Sequence, residues 1–148
     1  MANQLFPVFD VPEVSTPAAA SERKYKPSVY FDYDLGDFRR DSSGNMVEAS
    51  GHDTYIQWCL KTCMTERFTR LAYSTDIGTE LIDALDQDTR EAVESAVERT
   101  ITEALMVNPR TEYVRAFTFT WEAAELRCTF IVKGREWEER QLSVNYTQ

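Results

Sequence analysis

The sequence predicts an α+β fold, with two or three helices packed on a mainly antiparallel sheet whose C-terminal part is a three-stranded meander. Three observations predict it. Between Ala92 and Leu105 the apolar residues recur at helical spacing; from Tyr113 the period falls to two; and two more alternating stretches follow behind short turns. With 148 residues, 43% of them apolar and 12% aromatic, the chain can bury one core of ordinary domain size. The expected organisation is an extended arm over residues 1–27 and a single domain over residues 28–148.

In chain order, the arm carries Pro7, Pro12, Pro17 and Pro27, a small-residue run at Ala18–Ala20 and the basic residues Arg23, Lys24 and Lys26. Prolines at that spacing exclude a helix or a central strand. Leu5, Phe6, Val8, Phe9 and Val11 nevertheless need cover, either on the chain's own domain or on a neighbour, while the domain folds without them. From Ser28 the alternation of Val29, Phe31, Tyr33 and Leu35 predicts a short strand. Asp41–Asn45 reads as a turn, and Met46–Ala49 as the returning strand of a hairpin. Ser50 and Asp53 are candidate caps for a helix that buries Tyr55, Ile56, Cys59, Leu60, Cys63 and Met64. Phe68, Leu71 and Tyr73 fall in an irregular piece, with Phe68 expected in the core. Ile77, Leu81, Ile82 and Leu85 suggest a second, shorter helix.

The longest helix is predicted to start at Asp88, whose carboxylate can cap the first amides while Glu91 reaches back, a capping box worth about 1 kcal/mol. Ala92, Val93, Ala96, Val97, Thr100, Ile101, Ala104 and Leu105 form its buried stripe. Pro109 ends it by about Val107. The strand that follows places Tyr113, Arg115, Phe117, Phe119 and Trp121 on one face. A turn at Glu122–Glu125 leads to a strand with Leu126, Cys128, Phe130 and Val132, and Lys133-Gly134 turns toward a last strand with Leu142, Val144 and Tyr146.

The net charge of −9 and a pI near 4.6 argue against nucleic acid and against an acidic partner, since no basic stripe exists to displace counterions from phosphate. No apolar run approaches the roughly 20 residues that span a bilayer, so no membrane association is expected. Three cysteines, two on one helical face, suit a reducing compartment. His52, Cys59, Cys63 and Cys128 could be imagined as a zinc set, but the cysteines sit where an apolar face already requires small hydrophobes. Asp32, Asp34, Asp37, Glu66 and Glu112 are candidate acids with no cleft legible around them. No catalytic, metal or cofactor site is expected.

The ordered set Leu5-Phe-Pro-Val-Phe-Asp-Val-Pro12, Phe31-Asp-Tyr-Asp-Leu-Gly-Asp-Phe38, Gln57-Trp58, Thr65-Glu-Arg-Phe68, Tyr73-Ser74, Gly78-Thr-Glu-Leu81 and Asn108-Pro-Arg110 resembles the sheath-initiator family of contractile phage tails and related injection systems. The resemblance implies a small structural baseplate protein of the virion, made and assembled in the host cytoplasm. It implies a sheet like the linking domain of the tail sheath, docking on baseplate wedge proteins around the tube, and templating of the first ring of sheath subunits by strand addition. The implied partners are the tail sheath protein, the wedge proteins and tail tube or hub proteins, with six copies in a ring. Some relatives have been called tail lysozymes, so a peptidoglycan hydrolase is the rival class.

In the family the turn after the long helix often reads Glu-Pro-Arg and contacts the wedge. Here Asn108 replaces the acid and Pro109 and Arg110 remain, so these three are candidate partner-binding residues. An arginine there can equally serve its own helix end. Phe6 and Phe9 are the candidates from the arm. Leu142, Ser143, Val144, Asn145 and Tyr146 are candidates because the last strand of a meander keeps one open side, and the charges Glu136, Glu138, Glu139 and Arg140 cluster only at its beginning. The competing expectation is that the Val29–Leu35 strand of the same chain covers that edge.

Overall fold

A computed structural model describes residues 26–69 and 71–147. The architecture is α+β. Four two-residue strands come first, β1 (Ser28–Val29), β2 (Phe31–Asp32), β3 (Asp37–Phe38) and β4 (Glu48–Ala49). Helices α1 (His52–Cys63), α2 (Leu81–Leu85) and α3 (Arg90–Met106) follow, then β5 (Thr111–Glu122), β6 (Glu125–Gly134) and β7 (Arg140–Thr147).

The last three strands form an antiparallel meander in the order β5-β6-β7. Burial alternates along β6 and β7, so Leu126, Cys128, Phe130, Val132, Leu142, Val144 and Tyr146 face the helices and their neighbours face water. That is the period-two pattern of a sheet covered on one side. Val93, Val97, Ile101 and Leu105 of α3, with Tyr55, Ile56, Cys59 and Cys63 of α1, complete the core.

β5 departs from the predicted alternation. Its register against β6 shifts between Thr111 and Tyr113 and again between Arg115 and Thr118, where β5 inserts an extra residue and Ala116 takes φ 58°. An inserted residue flips every side chain beyond it. Val114, Phe117, Phe119 and Trp121 therefore pack on the core, while Tyr113 and Arg115 bond to Glu139 (2.8 and 2.9 Å) instead of sharing a face with Phe117.

α3 starts one residue later than predicted. Thr89, not Asp88, is the extended N-cap, and its Oγ1 accepts from the amide of Ala92 at 3.2 Å. Glu91 then falls one place short of the capping-box position, although it still meets the positive end of the helix. α1 likewise starts behind Gly51 with no side-chain cap from Ser50 or Asp53. Met64, expected to be buried, lies past the helix end and is exposed.

The N-terminal hairpin is more broken than a strand from Val29 to Leu35. β1 pairs with β4 and β2 with β3, and residues 33–36 form a turn because the Asp32 carboxylate takes the amides of Asp34 and Leu35, both at 3.1 Å. Leu35 is consequently exposed. The predicted turn at Asp41–Asn45 is present, with the Asp41 carboxylate accepting from the amides of Ser43 and Asn45 (2.8 and 2.9 Å). These bonds favour the ionised form and hold the Asp41 carboxyl below its ordinary range.

Candidate partner-binding surface

The last strand supplies the first part of the surface. β7 pairs with β6 in unbroken register from Arg140↔Val132 to Thr147↔Glu125, and among the described residues no strand pairs with its other side. Its core face is anchored, since the Tyr146 hydroxyl donates to the carbonyl of Cys63 at 3.2 Å inside the core. Burial raises the phenol well above its ordinary range, so it remains the donor. On the other face Arg127 reaches Asn145 (3.2 Å), and the hydroxyls of Thr129 and Ser143 lie 3.3 Å apart.

From Gln141 to Thr147 the strand carries no charge. Arg140, at its start, pairs with Asp53 of α1 at 3.6 Å. The Val29–Leu35 segment does not cover the edge with a strand, because its β1 and β2 are committed to β4 and β3. Instead an open depression of about 340 Å³ lies beside β7, lined by Leu142 and Ser143, by Ile56 and Leu60 of α1, and by Tyr30 and Asp34. Sequence reasoning missed this depression. Leu60 fits the buried stripe of α1 by spacing, yet it is only partly buried and lines this depression beside Leu142.

The turn after α3 is the second part. The Asn108 side chain accepts from the amide of Arg110 at 3.0 Å, and its carbonyl accepts from Thr111 at 2.9 Å, so Asn108 shapes the turn itself. A side-chain acceptor two residues upstream of the amide is what asparagine and aspartate supply and glutamate is too long to supply well. The Arg110 carbonyl takes the amide of Arg135 at 2.8 Å, which ties the turn to the end of β6. Pro109 is exposed and Arg110 half-buried. The turn thus sits at the end of the sheet where β7 begins, and Leu142–Tyr146 run away from it, so the two groups of candidates do not converge on one site.

Phe6 and Phe9 lie outside the described residues. The loop between α1 and α2 corrects one expectation. Phe68 is not in the core: it is 69% exposed at φ 66°. Arg67 takes the interior position, donating to the carbonyl of Gly78 at 3.1 Å and pairing with Glu80 at 3.5 Å. Gly78 sits at φ 109°, where a Cβ would meet the Thr65 carbonyl at 2.7 Å, so the crossing of the two strands of this loop requires glycine.

Four of the five candidate acids, Asp32, Asp37, Glu66 and Glu112, are engaged in structure. Glu66 accepts from the first amides of α2, Leu81 and Ile82 (3.1 and 3.3 Å), Glu112 pairs with Lys133 at 2.7 Å, and Asp37 accepts from the amide of Phe38 at 2.7 Å. Cys59, Cys63 and Cys128 are buried in the core. Desolvation pushes the thiols of Cys59 and Cys128 up to about 12 and that of Cys63 well above its ordinary value. His52 stacks on Trp137 at 5.9 Å, and burial lowers its pKa. Among the described residues no three His, Cys, Asp or Glu side chains converge as a metal site would need.

The profile of the contractile injection system sheath initiators matches residues 28–136, from the first strand of the hairpin to the connection before β7. The chain belongs to the sheath-initiator family. No curated protein matches it significantly. Sheath initiators are structural parts of contractile injection systems, which places the protein with the sheath in a phage tail or baseplate assembly. No described helix is long and apolar enough to cross a membrane.

Proposed function

We propose that this sheath initiator starts the sheath by offering the outer edge of β7 to a strand of a sheath subunit, from a position on the baseplate wedge. The observation that carries the reading is the state of that edge: unpaired among the described residues, in regular register, uncharged from Gln141 to Thr147, and flanked by a depression to which Ile56 and Leu60 contribute apolar surface and Asp34, Arg127 and Arg140 charge. An added strand would gain main-chain bonds from β7 and place alternate side chains over α1.

In this reading Leu142–Tyr146 hold the sheath strand, the Asn108-Pro109-Arg110 turn meets a wedge protein, and Phe6 and Phe9 of an arm over residues 1–27 add a further contact. The domain over 28–148 recurs as six copies around the tube, near tube or hub proteins, in a virion assembled in the host cytoplasm. No catalysis is part of it: Asp32, Glu66 and Glu112 already hold backbone amides or a lysine. Purified protein is expected to leave peptidoglycan intact. Cleavage that Glu112→Gln abolishes would overturn the reading in favour of a hydrolase.

The buried thiols make a selective test of the edge possible. Asn145→Cys on β7 and Thr118→Cys on β5 each add one exposed cysteine, to which a short photo-crosslinker is attached before assembly. Sheath adducts are expected from position 145 and not from 118; equal yields, or none from 145, would overturn the edge assignment. For the wedge contact, Arg110→Ala is expected to fold normally and lose copurification with the wedge. A helix-end contact is worth about 0.3–1 kcal/mol, against about 2–5 kcal/mol for truncating a desolvated charge pair.

A further inference from the structure

The depression of about 340 Å³ beside β7 is lined from both faces of the sheet. On the helix side lie Ile56 and Leu60 of α1, Leu142 of β7, and Asp34 of the hairpin. The hairpin is held to α1 by the Tyr33 hydroxyl and the Phe31 amide, which donate to the Gln57 carbonyl and to Gln57 Oε1, both at 3.3 Å. On the other face lie Ser143, Asn145 and Arg127, which starts on β6 and reaches across to Asn145 at 3.2 Å. An occupant of this depression has to reach both faces past an edge of backbone. A strand does so, because its side chains alternate between the two faces about 4.8 Å from β7, whereas a helix or a small molecule rests on one.

The two faces differ in charge. The Asp34 amide donates to Asp32, but among the described residues the Asp34 carboxylate has no cation beside it and accepts no hydrogen bond. Arg127 has a neutral partner, Asn145, and no carboxylate. The third charge, Arg140, is already paired with Asp53 at 3.6 Å. We infer that the strand added to β7 carries a lysine or arginine on its helix-side face, where it meets Asp34, and an aspartate or glutamate on its outer face, where it meets Arg127, with apolar side chains over Ile56 and Leu60. The inference rests on the strand addition proposed above and specifies the chemistry of that strand. A second copy of this chain does not fit, because the only charge on its β7 is Arg140 and it offers no carboxylate. Opposite charges on opposite faces also select one register. A strand slipped by one residue turns every side chain to the other face and sets like charges together. Asp34 and Arg127 are both exposed, so they contribute little to final affinity and act chiefly on the association rate and its salt dependence.

The test measures the association of purified sheath protein with the full-length initiator at low and high salt. Asp34→Lys and Arg127→Glu are each expected to slow association about 3–10-fold at low salt, and by less in high salt, where the charges are screened. The two changes shift the net charge in opposite directions, so a general effect of charge would slow one and speed the other. Glu122→Lys, at the far edge of the sheet, changes the net charge as Asp34→Lys does and is expected to leave the rate unchanged. Asp34→Asn and Arg127→Gln, which nearly keep the size of each side chain, should give smaller losses of the same kind. In the sheath strand that crosslinks to Asn145→Cys, reversing the cation to glutamate should restore the rate with Asp34→Lys and not with Arg127→Glu. Equal rates for Asp34→Lys and Glu122→Lys, an effect of only one of the two charges, or a crosslinked strand lacking that cation or that carboxylate would overturn the inference, while the adduct itself leaves the edge assignment standing. Absence of the adduct would instead remove the edge assignment and the inference with it. An initiator dimer in sedimentation that sheath protein displaces would also overturn the inference, by giving the edge to a second copy.

Discussion

β5 and β7 are the two edge strands of one meander, built from the same alternation of apolar and polar residues, yet their free sides differ in three respects. β5 has 12 residues, two register shifts and a left-handed Ala116, and it carries Glu112, Arg115 and Glu122. β7 has 8 residues in unbroken register and no charge after Arg140. Bulges twist an edge away from a straight partner, and charges oppose its pairing. The β5 edge is thus bent and charged, while among the described residues no strand pairs with the regular outer side of β7. The proposed strand addition rests on that difference.

The most severe way to break this comparison is proline. Along β7 alternate amides point toward β6 and away from it. Gln141→Pro, Ser143→Pro and Asn145→Pro, compared with Leu142→Pro and Val144→Pro, separate the two directions. The set that removes inward donors leaves β6 acceptors unpaired at about 1–3 kcal/mol each, and loss of a buried Leu or Val side chain adds about 1.5–3 kcal/mol. Those variants should unfold well below the wild-type temperature in a thermal melt. At least one variant of the remaining set should melt near wild type and fail to start sheath polymerisation. Prolines at Thr118 or Thr120 of β5 that permit folding should leave polymerisation unchanged. If every β7 variant that folds still nucleates sheath, the template lies elsewhere.

Tyr146→Phe gives a smaller effect on the same strand. It removes the hydroxyl that ties β7 to the end of α1, but the Cys63 carbonyl keeps a second donor, Thr79 Oγ1 at 3.4 Å. A loss of about 0.5–1.5 kcal/mol is expected in urea unfolding. A larger loss would mean that the open edge depends on this one bond for its position.

On β5 the expected change has the opposite sign. Ala116 holds a left-handed φ that costs an L residue about 1–2 kcal/mol, of which glycine returns part through its own entropy in the unfolded chain. Ala116→Gly should stabilise by about 0.5–1 kcal/mol and leave sheath nucleation untouched. Destabilisation would show that the Cβ packs in a way that offsets its strain.

These residues also show what the sequence could and could not reveal. The stripe of α3 and the alternation of β6 and β7 were legible because a single period runs through each, and the meander followed from them. The bulges of β5 were hidden because Tyr113-Val-Arg-Ala-Phe117 alternates equally well without an insertion, and only pairing with β6 decides which residue is extra. Thr89 displaced Asp88 as cap for a similar reason: both types can cap, and the first helical bond, from Val93 to the Thr89 carbonyl at 2.9 Å, selects between them. Phe68 read as core because it is large and apolar, whereas the loop spends its interior on Arg67. Of the candidate surface, the edge position of β7 was legible from strand order, and the depression beside it was not, since it is lined by residues of the hairpin, α1 and β7 that lie far apart in sequence.

The smallest predicted effect concerns the charges on the β5 side. Glu139, in the connection that enters β7, accepts from the hydroxyl of Tyr113 and from Arg115, and these two donors hold its carboxyl below its ordinary range. A carboxyl with a lowered folded-state pKa binds its proton more weakly folded than unfolded. Its contribution to stability is therefore fully present above the unfolded-state value and is lost as pH falls through the folded-state value. Both side chains of the Arg115 pair are about half exposed, so solvent and salt screen the interaction. Glu139→Gln should lower the urea midpoint slightly at pH 7 and low salt. The difference from wild type should shrink as the pH is taken down through and below the ordinary carboxylate range, and it should also shrink in high salt at pH 7. A difference that persists unchanged in acid would mean that Glu139 acts through its shape and hydrogen bonds and not through its charge.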